Sequence, residues 1–185
     1  MEAYSTPIKG LKIISPRVFS DSRGSFCELW RVDDDAGSLV DGCHFVQDNV
    51  SWSVKNTLRG LHFQVAPFAQ GKLVSVLHGV IFDVAVDLRE SSPTFGQHFS
   101  IRLSSEDKQM LWVPEGFAHG FLALSEVAAV LYKTTNFYSP NCEGSIRWND
   151  PQLSIPWPLP SGCEPILSAK DTTAPLFRET KPLSV

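Results

Sequence analysis

The sequence predicts an all-β fold, a sandwich or barrel of short strands, and three observations predict it. Runs of about five to nine residues alternate apolar and polar side chains, the period-two mark of a strand with unlike faces. Gly- and Pro-rich turns separate these runs, as at SSPTFG (91–96) and WNDP (148–151). Helical periodicity is almost absent, so helices should be very short.

The chain opens with a segment (1–20) carrying Leu11, Ile13 and Ile14, then Pro16 and Val18-Phe19. DSRGSFCELWR (21–31) follows, a Gly turn leading to a short strand with Phe26 and Glu28 on one side. Taken alone, Arg23 and Glu28 read as a solvated turn, and Asp33-Asp34-Asp35 before Gly37 as a solvated loop. From residue 47 to 54, Gln47, Asn49, Ser51 and Ser53 point one way. Val46, Val50, Trp52 and Val54 point the other, with Asp48 the exception.

The clearest strand signal runs from Lys72 to Arg89. Val80, Phe82, Val84, Val86 and Leu88 share one parity, and Ile81, Asp83, Ala85, Asp87 and Arg89 the other. His78-Gly79 marks a hairpin or bend. Phe99, Ile101 and Leu103 begin another strand, and Ser104 to Met110 is expected to form one helical turn. PEGFAHGF (114–121) reads as a Pro/Gly turn holding a histidine. Leu131 to Tyr138 is expected to be extended, with Tyr132, Thr134, Asn136 and Tyr138 on one face. IPWPLP (155–160) cannot make regular ladders and should wrap the surface. No repeat or second compositional block appears, so residues 1–185 are expected to form one domain.

Composition narrows the function. A net charge of −4 with scattered Lys and Arg argues against a nucleic-acid partner. No apolar run is long enough to cross a bilayer, and MEAYSTPIKG lacks a signal-peptide pattern, so a cytoplasmic location is expected. Cys27, Cys43, Cys142 and Cys163 are far apart and form no C-x-x-C pair, which favours reduced, buried or half-buried thiols.

The chemistry concentrates between Gln47 and Lys72. Neutral hydrogen-bonding side chains on the first strand suit the wall of a cavity for a polar ligand. Arg59, His62 and Lys72 add two fixed cations and a group that titrates near neutrality, a set that asks for an anionic substrate and proton transfer. A strict strand would put Arg59 and His62 on opposite faces, so an irregularity is expected at or near Gly60. Metal-binding barrels of this kind offer H-x-H, whereas this chain has His62-Phe63-Gln64, and an amide is a poor transition-metal ligand. A metal-free, cofactor-free site is expected. No G-x-S-x-G elbow or glycine-rich phosphate loop is present, so any phosphate would be held by side chains, Arg foremost. His44, His98 and His78 read as structural.

Together these segments resemble the dTDP-4-dehydrorhamnose 3,5-epimerase family. The match runs through FSDSRGSFCE (19–28), QDNVSWSVKNTLRGLHFQ (47–64), AQGKLVSVLHGVIFDVAVDLR (69–89), VPEGFAHGF (113–121), YKTTNFYSP (132–140) and LSAKD (167–171). The resemblance implies a jelly-roll barrel of the cupin type (a double-stranded β-helix), free of metal, in a homodimer that exchanges an N-terminal strand. It implies a dTDP-4-keto-6-deoxyhexose substrate inverted at C3 and C5. By resemblance, His62 is the general base, Asp171 its carboxylate partner, Tyr132 the general acid and Lys72 the cation at O4. Arg23, Glu28, Gln47, Asn49, Arg59, His119, Glu143 and Lys170 fall on substrate-contacting positions. Phe19, Arg23, Phe26 and Glu28 are expected to reach the neighbouring subunit's pocket.

Bland readings stand beside these. Tyr132 would by default pack in the core, Lys72 and Lys170 would be exposed, and Asp83 and Asp87 would be structural residues on a polar face. Tyr138 or Phe137 could stack on a nucleobase. Ser75 stands where relatives often carry Arg. The rivals are a single-carbon epimerase, a nucleotide-sugar-binding cupin without turnover, and a metal-dependent cupin oxygenase.

Overall fold

The structure is a computed structural model and describes residues 1–32 and 39–184. The aspartate run at 33–35 and Gly37 therefore lie outside the described residues. Two antiparallel sheets form a jelly-roll barrel. The first holds six strands in the order β1 (Glu2–Ser5), β2 (Lys12–Ser15), β10 (Met110–Val113), β7 (Lys72–His78), β12 (Val127–Thr134) and β5 (Gln47–Val54). The second holds five: β13 (Glu143–Ser145), β6 (Leu58–Gln64), β11 (Phe117–Ala123), β8 (Val80–Asp87) and β9 (His98–Ser104). β3 (Val18–Asp21) and β4 (Gly24–Cys27) pair as a separate hairpin. Among the described residues, helix is limited to single turns such as Ala169–Thr172.

Strand parity decides what each residue faces. Val74 and Val76 of β7, Ile81 and Ala85 of β8, Phe117 and Phe121 of β11, and Ala128 and Val130 of β12 fill the space between the sheets. The opposite parity of the five-stranded sheet (Leu61, Phe63, Val84, Val86, Ala118) is covered by Leu153, Ile155, Trp157 and Phe177 from the C-terminal segment. The Pro-rich run does wrap the surface, held by the Trp157 indole donating to the Trp148 carbonyl at 2.8 Å. Leu73, Met110 and Trp112 on the outer face of the six-stranded sheet are covered by Leu29, Trp30, Leu39 and Phe45.

Several expectations need correction. Ser104–Met110 is a hydrogen-bonded turn, not a helix, because the Ser104 hydroxyl accepts from the Asp107 amide and donates to its carboxylate. The turn expected over 114–121 ends at Gly116, and His119 lies in β11, whose seven residues are all buried. β12 starts at Val127 and stops at Thr134, where its hydroxyl donates to the Asn136 carbonyl and folds the chain out of the sheet. Of the two readings of His78-Gly79, hairpin or bend, the structure has the bend, since it joins strands of different sheets. β4 stops at Cys27, which leaves Glu28 off the strand. Asp83 and Asp87 share parity with Ile81 and Ala85 and are fully buried, so their face is the barrel interior. Cys163 is exposed, while the other three cysteines are half-buried.

Candidate active site

The interior parity turns polar at one end of the barrel. Asn49 and Ser51 (β5), Lys72 (β7), His119 (β11), Tyr132 (β12), and Arg59 and His62 (β6) line a cavity of about 430 Å³ there. Register brings them together: Tyr132 pairs with Asn49 and with Val74, and His119 pairs with His62.

The expected irregularity in β6 is present. His119 sits opposite His62 and Phe121 opposite Arg59, so two steps on β11 span three on β6. Gly60 occupies the extra position with φ +126°, a conformation that favours glycine. The bulge turns Arg59 to the same side as His62, and both reach the cavity.

His62 Nε2 lies 2.5 Å from Asp171 Oδ1. Asp171 is buried, and its second oxygen accepts from the Ser168 hydroxyl at 2.8 Å. Ser168 also caps the helical turn by accepting from the Asp171 amide at 3.1 Å. Burial alone would raise the Asp171 pKa, but the bonds from His62, Ser168 and the Gly60 amide outweigh it, and the carboxyl titrates below the usual range. An ionised Asp171 accepts Nε2–H and leaves the Nδ1 lone pair as the ring's base.

Tyr132 belongs to the opposing sheet. Its hydroxyl is 3.0 Å from Ser51 Oγ, and its ring meets His119 edge-on at 6.2 Å. Burial pushes the phenol pKa well above its ordinary value against the Ser51 bond and the Arg59 charge, so it holds its proton. Lys72 Nζ lies 3.4 Å from the His62 carbonyl. Burial lowers its pKa to about 8, with Glu143 and Asp83 pulling the other way.

The rim is tied by polar contacts. Gln47 donates to Asn49 Oδ1 at 2.9 Å and accepts from the Tyr138 amide at 3.0 Å. The exposed Tyr138 donates to Glu143 at 2.8 Å, and Glu143 also pairs with Lys170. Arg59 is anchored by Ser53 Oγ at 3.0 Å and the Trp52 carbonyl at 3.1 Å.

Four expected residues stand elsewhere. Phe19, Arg23 and Phe26 line a separate concavity on the β3–β4 hairpin, with Phe26 70% exposed and Arg23 paired to Asp21 at 2.6 Å. Glu28 lies 3.3 Å from Arg31. Within one chain these four do not reach the cavity. Gln70, Phe121 and Ser168, which sequence reasoning did not place at the site, line it as well, together with Ser51 and Thr134 from the polar faces read for β5 and β12. The parity of β5 pointed to Ser51, and the LSAKD segment to Ser168. Nothing in the sequence marked Gln70.

Among the described residues, no group of three or more His, Cys, Asp or Glu side chains is gathered to hold a metal ion. The Gln64 amide is engaged by the Phe68 and Phe137 carbonyls and by the Ser139 amide.

A family model for dTDP-4-dehydrorhamnose 3,5-epimerase matches residues 5–179. The chain belongs to this family. It is 53% identical over 177 residues to the dTDP-4-dehydrorhamnose 3,5-epimerase of Salmonella typhimurium, covering 96% of each chain. The crystal structure of the epimerase from Elizabethkingia anophelis superposes with a TM-score of 0.91 at 49% identity, covering 98% of each chain. That of dTDP-6-deoxy-D-glucose-3,5-epimerase from Legionella pneumophila, in complex with dTDP-4-keto-L-rhamnose, gives 0.93 at 47% identity, covering 99% of this chain and 97% of that one. The epimerase fold thus extends through almost the whole chain, and the polar end of its barrel is the cavity described above.

Proposed function

We propose that this protein inverts C3 and C5 of dTDP-4-dehydro-6-deoxy-D-glucose, giving dTDP-4-dehydro-L-rhamnose through enolate intermediates and without a metal or other cofactor. One observation carries the reading: an Asp-backed imidazole and a protonated phenol line one cavity from opposite sheets, and the Lys72 ammonium, on the strand next to that of Tyr132, lines it with them.

The chemistry follows from that arrangement. A C–H beside a ketone is too weakly acidic for imidazole to ionise unaided. Positive charge from Lys72 at O4 lowers the cost of the enolate, more so in a site with little water. His62 removes the proton through Nδ1 while Asp171 holds the tautomer and stabilises the imidazolium. Tyr132 returns a proton from the opposite face of the ring, which inverts the carbon. Arg59 and Lys170 offer cationic partners for the diphosphate. Tyr138, with its ring exposed at the rim, is the surface for the base. Gln47, Asn49, His119 and Glu143 complete the sugar and nucleoside contacts.

A homodimer belongs to the same proposal. Val50, Trp52 and Val54 leave an apolar stripe exposed on the outer face of β5, and Phe19 and Phe26 stand exposed on the hairpin. An exchanged N-terminal segment would carry Phe19, Arg23, Phe26 and Glu28 into the partner's cavity. Residues 1–185 would then act as one domain, in the cytoplasm. Among the described residues no helix is long and apolar enough to cross a membrane.

The test is to incubate chelator-treated protein with dTDP-4-keto-6-deoxyglucose in D₂O and follow C3–H and C5–H by NMR. Loss of both signals with formation of the L-rhamno product supports the proposal. Loss of one means a single-carbon epimerase, loss of neither a binding protein, and activity that vanishes with chelation a metal-dependent enzyme.

A further inference from the structure

His119, which lines the cavity, belongs to a second histidine–carboxylate pair whose acid has no part in the mechanism above. Asp83 Oδ1 lies 2.8 Å from His119 Nε2, and neither side chain is more than 4% exposed. Asp83 Oδ2 is buried without a hydrogen-bond partner among the described residues. A carboxylate oxygen kept out of water and unpaired is costly, and such groups persist where their charge is used. Its strand position points it at the site: Asp83 pairs with Phe121 of β11, which lines the cavity, and shares the interior parity of Ile81 and Ala85.

We propose that Asp83 is a positioning residue of the active site: it fixes the His119 ring through Nε2–H, turning Nδ1 to the ligand, and supplies the buried negative charge against which the Lys72 ammonium works. The proposal rests on the enolate reading for what Lys72 does, though not for the pairing itself. Lys72 Nζ reaches the His62 carbonyl at 3.4 Å, His62 pairs with His119, and His119 holds Asp83, so the carboxylate lies behind the same wall. The charges of Asp83 on β8 and Glu143 on β13 favour the charged form of Lys72, and that of Lys170 on the helical turn opposes it. His62, His119 and Tyr132 line the same cavity from β6, β11 and β12. Of the two carboxylates, Glu143 is already engaged by Lys170 and Tyr138, whereas Asp83 keeps one oxygen free of hydrogen bonds among the described residues. The same buried charge favours the protonated phenol of Tyr132. One side chain behind that wall thus biases both the cation and the acid toward the forms the reaction needs.

Asp83→Asn keeps the shape and removes the charge. Two measurements test it: C–H exchange in D₂O from about pH 6 to 9, and the titration of Lys72 followed by NMR of lysine labelled with ¹³C at Cε, assigned with Lys72→Arg. The second needs no turnover. The expected result is a Lys72 midpoint below that of the wild type, an alkaline limb of activity shifted to lower pH, and exchange at pH 8 reduced roughly tenfold or more with dTDP binding retained. A variant whose Lys72 titration and pH profile match the wild type overturns the proposal, whatever its stability. Should Asp83→Asn not fold, His119→Gln decides the charge role: the Lys72 midpoint must hold, and a fall would show that Asp83 is not the counter-charge. If the wild type exchanges neither proton, the activity reading fails, while the Lys72 titration still tests Asp83.

Discussion

Gly60 and Gly120 meet across the β6–β11 pairing so closely that a Cβ on Gly60 would stand 2.6 Å from the Gly120 Cα and 2.9 Å from the His119 carbonyl. The reverse holds too, since a Cβ on Gly120 would meet the Arg59 carbonyl at 2.7 Å. This contact fits into the bulge that turns Arg59 and His62 into one cavity. Gly60→Ala combines a backbone clash with an unfavourable positive φ, so it should cost ~2–4 kcal/mol. It should also lower exchange more than its stability loss explains. Thermal unfolding measured beside C–H exchange checks both.

His62→Asn removes the proposed base but leaves the rim. Exchange at both carbons should fall roughly 10²–10⁴-fold, while dTDP affinity by calorimetry stays near wild type. Equal loss of both would make His62 a binding contact only.

Tyr132→Phe retains the ring against His119 and Phe121 and deletes the proposed proton donor. Inversion should be impaired more than proton removal, so solvent deuterium would enter recovered substrate with its original configuration. Product formed at the wild-type rate would exclude Tyr132 as the acid.

The Lys72 pKa, lowered by burial to about 8, makes two linked predictions. The ammonium is lost as pH rises through that value, so kcat should fall on the alkaline side near pH 8. The sign for stability is the reverse of an ordinary ion pair. Because the unfolded chain binds this proton more tightly, Lys72 opposes folding below its folded pKa, and the cost fades between about 8 and the free-lysine value near ~10.4. Lys72→Met should therefore raise Tm at pH 7 while reducing exchange by roughly 10²–10³-fold.

Asp87 behaves oppositely. Burial pushes its carboxyl upward, but bonds from Arg89, Ser92 and Thr94 prevail and lower it to about 2. This stabilisation is fully present above the unfolded aspartate value near ~3.9 and is lost as pH falls through about 2. Asp87→Asn should cost about 2 kcal/mol at pH 7 and almost nothing near pH 2. Denaturant unfolding at the two pH values checks it.

What the sequence by itself determined is which side of each strand a residue occupies. Asn49, Ser51 and Tyr132 could be assigned to faces because a strand has period two, a property local to the backbone. The same reasoning foresaw a bulge near Gly60, since Arg59 and His62 otherwise point apart. Ends of elements were less legible: β12 stops where the Thr134 hydroxyl bonds the Asn136 carbonyl in competition with the ladder, and such competition leaves little trace in composition. Tertiary structure alone decided which interior positions meet. His62 and Asp171 are 109 residues apart in the chain and 2.5 Å apart in space. Asp83 looked like one of two acids on a polar face until the sheet closed over it. Parity is written every two residues, whereas register and sheet closure bring together strands far apart in the chain. That is why the faces were readable from the residues, and the pairings were not, save where the family resemblance implied them, as for His62 and Asp171.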